Sequence, residues 1–289
     1  MENMDDFLLE NRLKELSPDL SKRVSACVVV LGGMLDSFLS WFPDFTDHSL
    51  LHSMDVLYFA NHLLGHQVEQ LNAYECYTLI MSCYLHDIGM GVPEKLFDEF
   101  KDQLDLTEYY RKYPNAAPPK LIRDMHNEFS GLFIKKYADM FDIPSDDLCF
   151  AIVQVSRGHR KTDLYDVKEY PDIKTDKGVI RTSYLSAVLR LADEIDVGVD
   201  RNPELLFDTS KLTKQVDIDA FGTHESILEV AVTNNAVILR SKPKESRFAA
   251  HIEGLAGKIQ QTLDYCRDVA EKRSDLRITQ QRVEIQWEE

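Results

Sequence analysis

The chain has 289 residues, 28% of them charged and 44% hydrophobic, and a formal net charge of -16 at pH 7. That supplies a core for one large globular domain or two ordinary ones. The acidic balance argues against sequence-independent binding to long nucleic acid, which draws on a positive surface, yet it leaves room for a small phosphorylated ligand in a locally cationic pocket. No apolar stretch approaches the roughly 18 to 20 residues of a membrane helix; the run from Ala26 to Leu31 is far too short. The start Met-Glu-Asn-Met-Asp-Asp lacks the basic region of a signal peptide. The five cysteines, at 27, 76, 83, 149 and 266, show no CxxC spacing. Free thiols in a cytoplasmic protein are therefore expected.

Residues 1–203 read as a helical domain. Leu8, Leu9, Leu13 and Leu16 form one helical stripe, and Leu20 to Leu39 a longer one. Pro43 and Asp47 punctuate the chain, with Asp47 placed to cap a helix through Leu64. A further helix spans Asn72 to His86 and stops at Gly89-Met-Gly-Val-Pro93. From 94 to 117 the pattern is less regular; Tyr109, Tyr110 and Tyr113 either stack on a base or pack this segment down. Helices then follow over Pro118 to Phe141, Ser145 to Arg157 and Gly178 to Val197. After about 204 the period shifts to two. Val216, Ile218 and Ala220 alternate with polar residues, as do Leu228, Val230 and Val232, and Asn234-Asn235 turns the chain into Ala236 to Leu239. A helix with Phe248, Ile252, Leu255, Ile259, Leu263 and Cys266 on one face precedes a strand over Ile278 to Trp287. Residues 204–289 thus form a small α+β subdomain of hairpin, helix and strand, in a chain that is mainly α.

His52, the pair His86-Asp87, His126, His159 and Asp193 stand out as a buried metal-ligand pattern. His86-Asp87 ends the apolar run Leu79 to Leu85. A bare carboxylate there costs several kcal/mol unless a cation matches it, and a divalent metal supplies that charge. Successive gaps of about 33 to 39 residues let one helix run out and another return. Ligands so spaced meet through the fold, not through one loop.

These residues resemble the HD superfamily of metal-dependent phosphohydrolases: His52-x3-Val56, His86-Asp87, and Asp193 within Leu-Ala-Asp-Glu-Ile-Asp. The runs Arg123 to Ser130 and Leu191 to Asp196 are most similar to the prokaryotic HD-CE type. A GYP signature and a second histidine beside His159 are missing, which argues against cyclic-di-GMP cleavage. The resemblance implies an HD helical bundle over roughly 25 to 200. It implies a first metal on His52, His86, Asp87 and Asp193, and a second on His126 and His159 with Asp87 as the bridge. Mixed imidazole and carboxylate donors suit Fe, Mn, Co, Ni or Zn. The implied activity is hydrolysis of a nucleotide or related phosphate ester by a metal-activated hydroxide.

Around that set, His48 lies one turn before His52 and is a candidate proton donor, ligand or surface histidine. His62 and His66 repeat the spacing too far along the helix to take part. Arg123, Arg157, Arg160 and Lys161 are candidate phosphate contacts, with Asp87, His48 and Arg160 the catalytic candidates. Arg190 is expected to pair with Asp196 or Glu194. Rival readings are a di-iron oxygenase on the same ligands, a regulatory module of a signalling or conflict system, and a nuclease. The C-terminal subdomain is an expected surface for self-association or partner docking.

Overall fold

The computed structural model describes residues 7–34, 50–160, 162–198 and 215–288. The helical part comprises α1 (Leu8–Leu16), α2 (Pro18–Met34), α3 (Leu50–Leu64), α4 (Ala73–Leu85), α5 (Glu94–Lys101), α6 (Thr107–Lys112), α7 (Pro118–Lys136), α8 (Asp146–Arg157) and α9 (Thr182–Ile195). A short hairpin, β1 (Asp172–Thr175) and β2 (Gly178–Arg181), leads into α9. Then come α10 (Gln215–Glu225), β3 (Ile227–Val232), β4 (Ala236–Ser241), α11 (Ser246–Arg273) and β5 (Arg282–Trp287). The chain is mainly α, with strands concentrated near its C-terminal end.

Two helices are buried on almost every side. Ten of the residues in α4 and twelve in α9 are buried, the mark of central rather than surface helices. α3, α4, α8 and α11 surround α9. α4 starts on a reciprocal cap in which the Asn72 side chain accepts from the Tyr74 and Glu75 amides and Glu75 reaches back to the Asn72 amide. The same Glu75 takes both prongs of Arg181, at 2.7 and 2.9 Å. Arg181 immediately precedes α9. One buried ion pair therefore pins the starts of the two central helices, and their far ends carry His86-Asp87 and Asp193.

Near the C-terminal end β3 and β4 pair antiparallel, and β5 adds parallel to β4 after the crossover helix α11. The turn from β3 to β4 runs through Thr233 to Asn235, where the Thr233 amide donates to the Ala236 carbonyl at 2.8 Å. α11 lies along α9, with Ile252, Ile259, Leu263 and Cys266 fully buried in a core continuous with that of the helical part.

Three expectations are corrected here. The alternating pattern at Val216, Ile218 and Ala220 is helical, within α10. Three alternate residues are too short a window to fix a period. Packing decides instead: Phe221 is buried, α10 lies on α11, and the Thr223 and Ser226 hydroxyls donate to the carbonyls four residues back. The helix expected from Gly178 begins at Thr182, because Gly178 to Arg181 pair with Asp172 to Thr175. Arg190 turns to backbone in place of Asp196 or Glu194: its Nε donates to the Gly158 carbonyl and its Nη2 to Thr162. Lys258 takes Glu194, and His52 takes Asp196. Asp47, the end of the second predicted helix and the 203/204 boundary lie outside the described residues.

Candidate metal centre

Four histidines meet at the ends and bends of separate helices. His52 is near the start of α3; His86 follows α4 directly. His126 follows the one non-helical residue of α7, Met125 (φ -123°, ψ 17°). His159 lies just beyond α8. Three of them use the same local device. Nδ1 of His86, His126 and His159 donates to the carbonyl three residues earlier, of Cys83, Arg123 and Ser156, at 2.9, 2.7 and 2.5 Å. Carbonyls at helix ends and kinks lack an intrahelical partner, and an imidazole N–H satisfies them. His52 differs, donating from Nδ1 to the Asp196 carboxylate at 2.6 Å. A carbonyl or carboxylate only accepts, so every ring carries its proton on Nδ1 and leaves an Nε2 lone pair.

Those lone pairs converge in twos. His52 Nε2 is 3.2 Å from His86 Nε2, and His126 Nε2 is 2.8 Å from His159 Nε2. Facing lone pairs repel, so the pairs call for a cation. With metal–nitrogen bonds near 2.0–2.1 Å, two nitrogens sharing one ion stand about 2.9–3.4 Å apart, close to what is found. Asp87 stands between the pairs. Its Oδ1 is 3.2 and 3.5 Å from Nε2 of His126 and His159, while its Oδ2 is 3.6 Å from Nε2 of both His52 and His86. Asp193 Oδ1 joins the His52–His86 side at 3.4 and 3.8 Å. Ligand atoms of His52, His86 and Asp87, and of Asp87, His126 and His159, each fall within 4.8 Å of one another. The donor set fits one or two divalent ions.

Burial tunes these groups. Desolvation, reinforced by His86 and His126, pushes the His159 imidazole well below its usual range, so it stays neutral, as a ligand must. Burial alone raises the Asp193 carboxyl, but the adjacent His52 and His86 rings outweigh it and hold the group well below the usual range. Asp193 also ends a helix, where the macrodipole opposes an anion; a cation in the site offsets that. Its side chain is 24% exposed, against 0% for His52 and His86 and 6% for Asp87. The centre therefore opens to solvent on the Asp193 side.

Neighbouring backbone holds the ligands close. The Ser130 hydroxyl donates to the His86 carbonyl at 2.6 Å and accepts from the Gly89 amide at 2.8 Å, tying the turn after His86 to α7. A Cβ at Gly89 would lie 2.3 Å from the His126 carbonyl oxygen, so only glycine lets the two strands of chain approach. Gly158 is similar, since a Cβ there would meet the Ser186 side chain at 2.4 Å. Arg190 closes this contact by holding the Gly158 carbonyl beside His159. Asp196, Ser130, Gly89 and Arg190 support the ligands in roles that the sequence did not assign to them. Asp196 left a signal, three positions from Asp193 in the acidic run.

The expected cations divide. Arg157 donates to Glu128 at 2.9 and 3.0 Å, to Glu169 at 2.9 Å and to Gln154 at 2.7 Å; a phosphate contact there requires one of these bonds to open. Arg123 and Arg160 are exposed. His48 and Lys161 lie outside the described residues. Tyr109 donates to Asp124, and Lys120 sits over the Tyr113 ring, so the tyrosines pack against the start of α7. His62 contacts Tyr58, away from the cluster. The cysteines are free, and burial pushes the thiols of Cys27, Cys76 and Cys266 up to about 12.

A family described as HD-CE matches residues 42–275. The chain belongs to the HD-CE family. That match takes in every residue of the His/Asp cluster and continues through α11 of the α+β part. No curated protein and no solved structure matches this HD-CE chain. Among the described residues no helix is long and apolar enough to cross a membrane.

Proposed function

We propose that this HD-CE protein is a metal-dependent phosphohydrolase acting on a nucleotide or a related phosphate ester. The observation that carries the reading is the division of the Asp87 carboxylate, one oxygen toward His126 and His159 and the other toward His52 and His86. His52, His86, Asp87 and Asp193 would hold one ion; His126, His159 and Asp87 would hold a second. Nitrogen and carboxylate donors favour Fe, Mn, Co, Ni or Zn. Bound there, the ions supply a hydroxide nucleophile near neutral pH and the positive charge that phosphoryl oxygens require.

The chain's own residues contribute the rest. Nδ1 bonds fix four imidazoles with Nε2 inward, which preorganises the donors for a cation. Among the described residues the second set has three protein donors, which leaves coordination positions for substrate oxygens. Arg123 and Arg160, exposed beside His126 and His159 in sequence, are the candidates to grip phosphate oxygens. The test is metal analysis of the purified protein with a screen of nucleotides, cyclic dinucleotides and generic phosphodiesters. Metal-dependent phosphate or nucleotide release supports the reading. Oxygen uptake by the anaerobically prepared iron form without phosphate release would replace it with an oxygenase. Retained metal with no turnover on the whole panel would replace it with a regulatory module.

A further inference from the structure

The two halves of the site are not equivalent, and the difference lies behind the ligands. His126 and His159 each donate Nδ1–H to a neutral backbone carbonyl, as does His86. Of the four clustered histidines, His52 is the one that donates to a carboxylate, Asp196 Oδ2, at 2.6 Å. Asp196 is 7% exposed and its partner His52 1%, so the contact is shielded and strengthened by low dielectric. A carboxylate behind an imidazole draws the Nδ1 proton toward itself, fixes the tautomer and enriches Nε2 in electron density, making it a better donor to a cation. The charge count leans the same way. The His52–His86 half has Asp87 Oδ2 and Asp193 Oδ1 within 3.8 Å of its nitrogens, with Asp196 behind. Among the described residues the His126–His159 half has Asp87 Oδ1 as its one carboxylate oxygen.

From this asymmetry we infer that Asp196 is a positioning residue which makes the His52–His86–Asp193 half the high-affinity metal site, so that the two ions load in order and the His126–His159 half fills last and exchanges freely. The inference rests on the two-ion reading above and deepens it. Occupancy of the second half, and with it turnover, then follows the free metal concentration, while the first ion stays with the protein. Asp196 acts through His52 and touches neither ion nor substrate.

The test is a cobalt(II) titration of the metal-free full chain, followed by visible absorption and by bound cobalt per chain. The wild type should bind two ions in two resolved phases, the first the tighter. Asp196→Asn keeps an acceptor oxygen for the His52 N–H but removes the charge. It should weaken the first phase by about 10- to 100-fold, the usual range for outer-shell partners, shift its absorption bands, and leave the second phase unchanged. Asp196→Glu, which keeps the charge, should restore part of the affinity. A thermal melt of the metal-free Asn variant coinciding with wild type shows that the fold is not the cause. Two equal phases in the wild type, or a first phase indifferent to Asp196→Asn, would overturn the inference while the phosphohydrolase reading survives. Ordered loading weakened by Asp196→Asn, without any phosphoester turnover, would support the inference and remove that reading. A wild type that binds no cobalt would remove both.

Discussion

Asp87 is where the two halves of the site meet, because its oxygens face different histidine pairs. Removing it strips an anionic donor from each half at once. At equilibrium dialysis against excess metal the variant Asp87→Ala should bind no ion, against two per chain in the wild type, and should show no phosphoester turnover. His159→Ala touches one half only and should keep a single ion. A His159→Ala protein with a stoichiometric second ion would break the assignment of His126 and His159 to one site. Residue identity and order carried most of this into the sequence: a His-Asp pair alone is common, but the ordered set His52, His86-Asp87, His126, His159 and Asp193 is not. What the motif did not carry was the role of Asp196, whose contact with His52 spans 144 positions.

At the scale of elements, the spacing between α7 and the turn after α4 sets the distance between the two histidine pairs. Ser130 and Gly89 hold that spacing. Gly89→Ala places a methyl group 2.3 Å from the His126 carbonyl oxygen and 2.4 Å from the Ser130 amide. Overpacking of this kind should cost about 1–3 kcal/mol. Ser130→Ala leaves the buried His86 carbonyl and Gly89 amide short of a partner and should also cost about 1–3 kcal/mol. Urea midpoints of the metal-free variants measure both, and a Gly89→Ala midpoint equal to wild type would contradict the close approach. Helix positions were legible because α3, α4, α7, α8 and α9 carry long periodic or apolar stretches with capping residues such as Asn72 and Ser145. α10 and the β1–β2 hairpin were not, because their patterns are short and tertiary packing sets their state.

For the whole molecule, acid should weaken the metal-free fold. His159 is held below its ordinary value of 6.5 in the folded state, so the unfolded chain takes up a proton that the folded chain refuses. Its contribution is therefore complete above 6.5 and is lost as pH falls below it. Asp193, also depressed, adds a second loss as pH falls below 3.8. In chelator, denaturation midpoints should fall between about pH 7.5 and pH 5.5, and an unchanged or rising midpoint would contradict the neutral buried imidazole. Metal should reverse the trend, adding about 2.7 kcal/mol at a hundredfold excess over Kd. With a net charge of -16, the protein should show no salt-dependent binding to random duplex DNA in a mobility assay.

The sequence by itself determined the mainly helical class, the α+β character of the C-terminal part and the identity of six clustered residues, His52, His86, Asp87, His126, His159 and Asp193. These follow from local periodicity and from residue chemistry, which need no knowledge of the third dimension. Only the tertiary structure decided how the Asp87 oxygens divide, that Asp196 backs His52 and Arg190 braces the Gly158 carbonyl, and which side opens to solvent. Those depend on helix ends far apart in sequence being packed to within a few ångströms, and no periodicity along a chain encodes a distance across it.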